Sequence, residues 1–303
     1  MIIRFAKSSF PIQNAITEDD VLRLQTDTER RRWKLNDEWK DLLKPPQEAG
    51  NDWSLTLPCK ETFWNAFLAL DINSIGPRPW GRKKNLCGTF LDGIHEECDE
   101  LDKIRQAFMQ IGKYIGIRDN LALSFAVDFD RSGPEGPRTL LGNAIFSLKY
   151  GNLDDPAMQP HLGELVEHLL TFVADVECYS TADSVCCVPP SNPTGGTSIP
   201  KLVATQLAPR LNKTDLTEAL TTIGIRTGLK NVGLDNKLDT IRGTIQVDGS
   251  QVSGRTIILI DDLYQSGVTM NYAAMMLMEA GARAIFGLSC VKTLRNDDNQ
   301  SRL

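Results

Sequence analysis

The sequence predicts an α/β protein built on a doubly wound, mainly parallel sheet, with an N-terminal α+β extension in front of it. Three observations carry this expectation. The stretch from Arg255 to Cys290 reads strand, helix, strand. Its strand runs, Thr256 to Ile260 and Ala284 to Val291, are dominated by β-branched and apolar residues, as in strands buried on both faces of a parallel sheet. Upstream, further strand-like runs alternate with segments of helical spacing, the pattern of crossover-connected parallel strands.

Taken in order, the 303 residues suffice for one large or two medium domains. Met1 to Phe5 reads as a short strand. Thr17 and Asp20 form a capping box before a helix expected from about Glu18 to Leu43, with Leu22, Trp33, Trp39 and Leu42 on its buried side. Arg30, Arg31 and Arg32 beside Trp33 are candidates for nucleic-acid contact, although alternating charges along a helix more often form a solvated face. Lys44-Pro45-Pro46 ends that helix. Asn51 to Leu57 suits a strand and Glu61 to Leu70 a helix. Pro77 to Lys84 (PRPWGRKK) is a basic, turn-rich loop whose Arg78, Trp80, Arg82, Lys83 and Lys84 make it the best phosphate or nucleic-acid candidate of the front half; a plain surface loop is the simpler reading. Gly93 to Tyr114 suits an amphipathic helix and Leu121 to Val127 a strand. Cys59, Cys87, His95 and Cys98 contain no C-x-x-C pair, so no metal site is expected from them.

Asp130 to Pro137 (DRSGPEGP) packs two prolines, two glycines and three charges into eight residues. The expected domains are therefore 1–137, mixed α/β, and 138–303. Beyond the break, Thr139 to Tyr150 and His161 to Ala174 have helical spacing. Asp183 to Val188 suits a strand ending in Pro189-Pro190-Ser191-Asn192-Pro193. Gly195-Gly196 lead to a helix from about Ile199 to Leu211, and Thr244 to Val247 suits another strand.

A net charge of −6 and a pI near 5.2 argue against a broad nucleic-acid or membrane surface. No apolar run approaches the ~20 residues of a membrane span, and MIIRFAKSSF lacks the apolar centre of a signal peptide. Seven scattered cysteines suit reduced thiols rather than a disulfide framework. The expected compartment is the cytoplasm.

The chemistry concentrates after the strand that starts at Thr256. Asp261 and Asp262 close its apolar run, and Leu263 to Gly267 form a short loop. From Val268 the period becomes helical, with Met270, Ala273, Ala274, Leu277 and Ala280 on one face and Gly281 at the stop. A helix N-terminus offers free N–H groups and about half a positive charge, so the Ser266–Thr269 segment can cradle a phosphate. Gly267 permits close backbone approach, and Ser266 and Thr269 add hydroxyls. Two carboxylates beside such a cradle suit a ligand whose phosphate is followed by hydroxyl donors, such as ribose 5-phosphate. Each bond to a charged acceptor contributes roughly 1.5–3 kcal/mol. A βαβ edge with two solvated acids is the plain alternative. A Walker B strand does not fit, because no G-x-x-x-x-G-K-[ST] occurs: Gly112-Lys113 is followed by Tyr114.

The segment IILIDDLYQSGVT resembles the phosphoribosyl-diphosphate (PRPP) motif of type I phosphoribosyltransferases, matching at Asp261, Asp262, Ser266, Gly267 and Thr269. It departs at Gln265, where the family usually carries Ser or Thr, and at Tyr264. The order of LKYGN (Leu148 to Asn152), the VCCVPP strand end and IRGTIQV (Ile241 to Val247) is similar to that in ComF-like phosphoribosyltransferases, over about half the chain. The resemblance implies a type I phosphoribosyltransferase sheet. It implies Asp261 and Asp262 as the catalytic acid pair and Tyr264, Gln265, Ser266, Gly267, Val268 and Thr269 as the 5′-phosphate loop. Pro190, Ser191 and Asn192 would face the pyrophosphate. Roughly Arg226 to Arg242, with Lys230, Lys237 and Arg242, would form a flexible flap. Mg²⁺ would arrive mainly through PRPP. The zinc ribbon common in ComF relatives has no counterpart here, and the pyrophosphate loop PPSNPTGG holds no Lys or Arg.

The expected activity is transfer of the phosphoribosyl group to a nitrogenous acceptor with release of pyrophosphate. Lys201 and the flap cations are candidates to offset the leaving charge, and Lys292 to Asn299 to line the acceptor side. The alternatives are a non-catalytic PRPP- or nucleotide-sensing module, and an accessory protein of nucleic-acid processing. The expected partner is a small-molecule ribose phosphate or nucleotide. A second copy of the chain is a further candidate, and nucleic acid a disfavoured one.

Overall fold

The computed structural model describes residues 13, 15–26, 32–33, 43–49, 51–57, 87–91, 93–192, 197–224 and 236–294. The strand expected at 1–5, the helix at 61–70, the basic loop at 77–84, Arg30, Arg31, Trp39, Leu42, Cys59, Gly195-Gly196, Lys230 and residues 295–299 lie outside the described residues.

In chain order the front elements are α1 (Glu18–Thr26), β1 (Arg32–Trp33), β2 (Leu43–Lys44), β3 (Trp53–Leu57), β4 (Cys87–Leu91), α2 (Asp99–Ile111), β5 (Ile115–Ile117) and β6 (Leu123–Phe129). Then come α3 (Leu140–Tyr150), α4 (Gln159–Asp175), β7 (Ser184–Cys187), α5 (Ile199–Arg210), β8 (Thr214–Asp215) and β9 (Leu220–Thr222). The last are α6 (Lys237–Ile241), β10 (Ile245–Val247), β11 (Thr256–Tyr264), α7 (Val268–Glu279) and β12 (Ala284–Lys292).

Among the described residues seven strands form the main sheet, in the order β1-β5-β6-β12-β11-β7-β8. The five from β6 to β8 are parallel, and β5 and β1 join antiparallel at one edge. Alternate residues of β11 and β12 enter two separate cores. Ile257, Leu259 and Ile285 pack with α1, α6 and α7, whereas Ile258, Ile260, Phe286 and Leu288 pack with α3, α4 and α5. Covering both faces is what removes polar alternation from these strands. Tyr179 ties β6 to β12, its hydroxyl sharing its donor between Leu123 O (3.2 Å) and Gly287 O (2.7 Å). A three-stranded antiparallel sheet, β2-β3-β4, adds Trp53, Leu55 and Leu91 to the second core.

Four expectations change. The helix from Glu18 stops at Thr26, and Arg32 and Trp33 pair with β5 instead. The capping box does form: Asp20 N donates to Thr17 Oγ1 (3.2 Å) and Thr17 N to Asp20 Oδ2 (2.9 Å). Val21 and Leu24 are buried, while Leu22 is 44% exposed. The amphipathic pattern of 93–114 yields a helix only over Asp99–Ile111, because the chain then turns into β5. The Pro/Gly break at 130–137 is a turn joining β6 to α3, with Ser132 N donating to Pro137 O (3.0 Å), and β5 and β6 belong to the same sheet as the rear half. Linkers and tight turns share this composition. Finally, Asp261 and Asp262 do not end their strand; β11 runs on to Tyr264. No helix among the described residues is long and apolar enough to cross a membrane.

Candidate functional site

Because β6, β12, β11 and β7 are parallel, their carboxyl ends share one edge of the sheet, the usual ligand edge of such folds. The acid pair lies there. Ile260 is in register with Cys187, and Val188 N donates to Ile260 O (2.9 Å), which puts the start of the loop after β7 beside Asp261. On the other side Thr293 N donates to Tyr264 O (3.1 Å). Asp261 keeps part of its surface open, yet burial, and then the neighbouring Asp262 carboxylate, push it well above the usual carboxylate range. Lys149 Nζ, from the last turn of α3, lies 3.3 Å from Asp262 Oδ2. Two features set α3 in place. The Thr139 hydroxyl accepts from Gly142 N (3.0 Å) as an N-cap, and a side chain at Gly142 would come within 2.1 Å of Asp130 O.

After Tyr264 only Gln265, Ser266 and Gly267 separate β11 from α7. Gly267 has φ +77°, and a Cβ there would sit 2.0 Å from the Tyr264 hydroxyl. Both constraints require glycine. The turn rests on a buried polar network. Asp119, 4% exposed, accepts from Leu121 N (3.1 Å), Ser124 Oγ (2.8 Å), the Tyr264 hydroxyl (3.1 Å) and Asn271 Nδ2 (3.4 Å). Asn271 Nδ2 also donates to Gly267 O (2.9 Å), and Asn271 Oδ1 accepts from Asn120 N (3.0 Å). Burial raises the Asp119 carboxyl, and these donors pull it back. Lys292, 4% exposed, closes the base of the turn, with Nζ 3.0 Å from Thr293 Oγ1 and 3.5 Å from Gln265 O.

The sequence-derived residues divide in two. Gln265 is exposed and Thr269 partly so, while Ser266, Gly267 and Val268 are buried at the mouth of α7. Lys237 Nζ reaches Ser266 Oγ at 3.4 Å, so this cation does meet the loop. Tyr264 does not present its ring to a ligand: it is 1% exposed and bonded to Asp119 beneath the turn. Pro190, Ser191 and Asn192 lie beyond the carboxyl end of β7; Ser191 and Asn192 are exposed, and Pro190 O accepts from the Thr222 hydroxyl. Arg242 is turned to Glu18 (3.0 Å) and Asp239 (2.8 Å), and Lys201 pairs with Glu218. The described part of the expected flap, from 236 onward, is docked, with Leu238 and Ile241 at 3% and 0% exposure in the core beside α7. Lys149, Asp119 and Asn271 were not singled out. LKYGN contained the one sequence signal for Lys149; nothing local marks the other two. Lys292, expected on the acceptor side, instead supports the turn.

Among solved structures the chain is similar to adenine phosphoribosyltransferase from Thermoanaerobacter pseudethanolicus, at 14% identity and a TM-score of 0.29, over 44% of this chain and 81% of that one. No protein-family model and no curated protein matches the chain.

No group of three or more His, Cys, Asp or Glu placed to hold a metal occurs among the described residues. The oxygen donors of Asp261 and Asp262 are hard ligands that suit Mg²⁺, but Asp262 already faces an ammonium.

Proposed function

We propose that the chain is a phosphoribosyltransferase-like protein that binds Mg²⁺-PRPP, or a ribose 5-phosphate or nucleotide, at the carboxyl ends of β11 and β7. The carrying observation is that the Asp261–Asp262 pair lies two residues before the carboxyl end of β11, the strand whose next turn, held at Gly267, opens α7. In this reading Asp261 and Asp262 accept hydrogen bonds from the ribose hydroxyls. The N–H groups at the start of α7, with Ser266, Thr269 and Lys237, hold the 5′-phosphate. The acid pair also favours positive charge developing at the anomeric carbon. The bond from C1′ to pyrophosphate breaks, and its electron pair leaves with the pyrophosphate. A nitrogen lone pair forms the new C1′–N bond, and the proton of the acceptor nitrogen passes to solvent or an adjacent carboxylate. Bound Mg²⁺ would neutralise part of the diphosphate charge.

A second reading is favoured by one observation. Lys201 and Arg242, candidates to offset the leaving charge, are engaged with carboxylates elsewhere. A pocket that binds the ribose phosphate without releasing pyrophosphate, a sensing module, follows from that arrangement.

Pyrophosphate release, assayed with PRPP, Mg²⁺ and a panel of nitrogenous acceptors, separates the two. Release by the wild type and its loss in Asp261→Asn/Asp262→Asn supports transfer. Binding without release supports sensing. Undiminished release in the double variant would overturn the assignment of the acid pair.

A further inference from the structure

Beside the phosphate loop a cleft of about 250 Å³ opens between α3 and the ends of β11 and β12. Ile145, Leu263 and Val291 give it an apolar floor, and Gln265 brings it up to the loop. Two features define its chemistry. Phe146 and Tyr150, one turn apart on α3, line it with ring centroids 4.7 Å apart, although they are 43% and 71% exposed. Arg138 lays its guanidinium 4.2 Å from the Phe146 centroid and forms no ion pair among the described residues. The other charged groups at the cleft are engaged: Lys149 faces Asp262, and Asp130 Oδ1 accepts from Leu294 N at 3.1 Å.

We propose that this cleft binds a planar nitrogen-containing ring bearing an anionic substituent, stacked against Phe146 and Tyr150 with its anion on Arg138. The volume is below the roughly 300–1,000 Å³ of pockets that enclose drug-sized ligands, so it suits one or two rings rather than a whole nucleotide. Aromatic side chains bind any planar ring through its π-face, so they select shape but not charge. Charge selection falls to Arg138. A neutral ring laid over it would take the guanidinium out of water without a counter-ion, whereas a carboxylate accepts two parallel bonds from its fork. The inference deepens the transferase reading: Gln265 and Lys149 join the cleft to the loop and the acid pair, so its occupant is the acceptor, and its class is an acidic ring.

The test uses two probe pairs that differ in charge but not in ring: nicotinate with nicotinamide, and indole-3-carboxylate with indole-3-carboxamide. Affinities are measured by calorimetry or saturation-transfer NMR on the wild type, Arg138→Gln, Phe146→Ala and Asp261→Asn/Asp262→Asn. In at least one pair the wild type binds the carboxylate about tenfold more tightly than the amide. Arg138→Gln abolishes that preference while leaving amide binding unchanged, and Phe146→Ala weakens both members about tenfold. The acid-pair variant keeps amide-ring binding, because neither acid lines the cleft and the amides do not respond to the Lys149 ammonium that Asp262 otherwise pairs, so a failure of PRPP binding in the same samples is told apart from a failure here. Equal or undetectable affinity within both pairs, or a preference that survives Arg138→Gln, overturns the proposal.

Discussion

The carboxyl ends of β11 and β7 are neighbours in the sheet, yet the turns that leave them are built differently. The turn after β11 is set on Asp119, Tyr264 and Asn271, with Lys292 at its base, so its backbone is placed by buried hydrogen bonds. The turn after β7 projects Ser191 and Asn192 into solvent, and Lys201 of the helix that follows faces Glu218. One end is organised before any ligand arrives. The other presents exposed polar side chains, and the cation of the helix that follows is paired with a carboxylate. In the proposed function the first difference favours tight capture of the 5′-phosphate, and the second makes stabilisation of the leaving group the weaker part of the site.

Substitutions paired across the two ends break or sharpen this contrast. The largest effect is expected from Gly267→Val. A side chain there meets the Tyr264 ring and demands an unfavourable φ, so ribose 5-phosphate affinity falls about a hundredfold or more and the melting temperature drops. Ser191→Ala, its counterpart after β7, changes that affinity no more than a few-fold in the same titration, as expected for one exposed hydroxyl. Next comes Asp119→Ala, which removes the buried acceptor shared by the Tyr264 and Ser124 hydroxyls and one Asn271 N–H beneath the turn. Denaturant unfolding should register a loss of about 3 kcal/mol, against about 1 kcal/mol for Thr222→Val, which removes the donor to Pro190 O.

The third prediction concerns pH. The folded-state pKa of Asp261 is raised, first by burial and then by Asp262, so on raising the pH the unfolded chain loses this proton before the folded one does. Stability therefore falls as pH rises from the ordinary carboxylate range, about 4, towards the raised value. Asp261→Asn removes that fall: the variant is more stable than the wild type near neutrality, and the gain disappears below about pH 4. Thermal melts across that range check it. A gain that persists at acid pH would contradict the cause given. The smallest effect is expected at the cations. Lys237→Ala weakens phosphate binding a few-fold because its ammonium meets Ser266, whereas Arg242→Ala, directed at Glu18, leaves binding unchanged.

Much of the rear half was legible because its signals are local. The IILI run, the glycine at 267, the helix expected from about Ile199 and the periodicity of 139–150 each depend on residues close in the chain, and all formed. What failed depends on distant partners. Arg32–Trp33 became a strand because β5, more than 80 residues away, supplies the backbone groups that a longer helix would have supplied locally. β5 itself is three residues long, too short for a periodic signal. Within the site, the acid pair and the loop were legible as a motif. Asp119 was not, since nothing in its neighbourhood announces that Tyr264, 145 residues on, will donate to it. The inward turn of Tyr264, expected in the 5′-phosphate loop, was illegible for the same reason: a motif gives positions along the loop but not which side chains are buried beneath it.

The most direct test of the ligand assignment is a calorimetric titration of the full chain with PRPP in the presence of Mg²⁺, wild type against Asp261→Asn/Asp262→Asn. Saturable one-to-one binding by the wild type, weakened at least about tenfold in the double variant, is the predicted result. Absence of binding by the wild type, or equal affinity in the two proteins, would contradict the placement of a ribose phosphate on the acid pair and the Gln265–Thr269 turn.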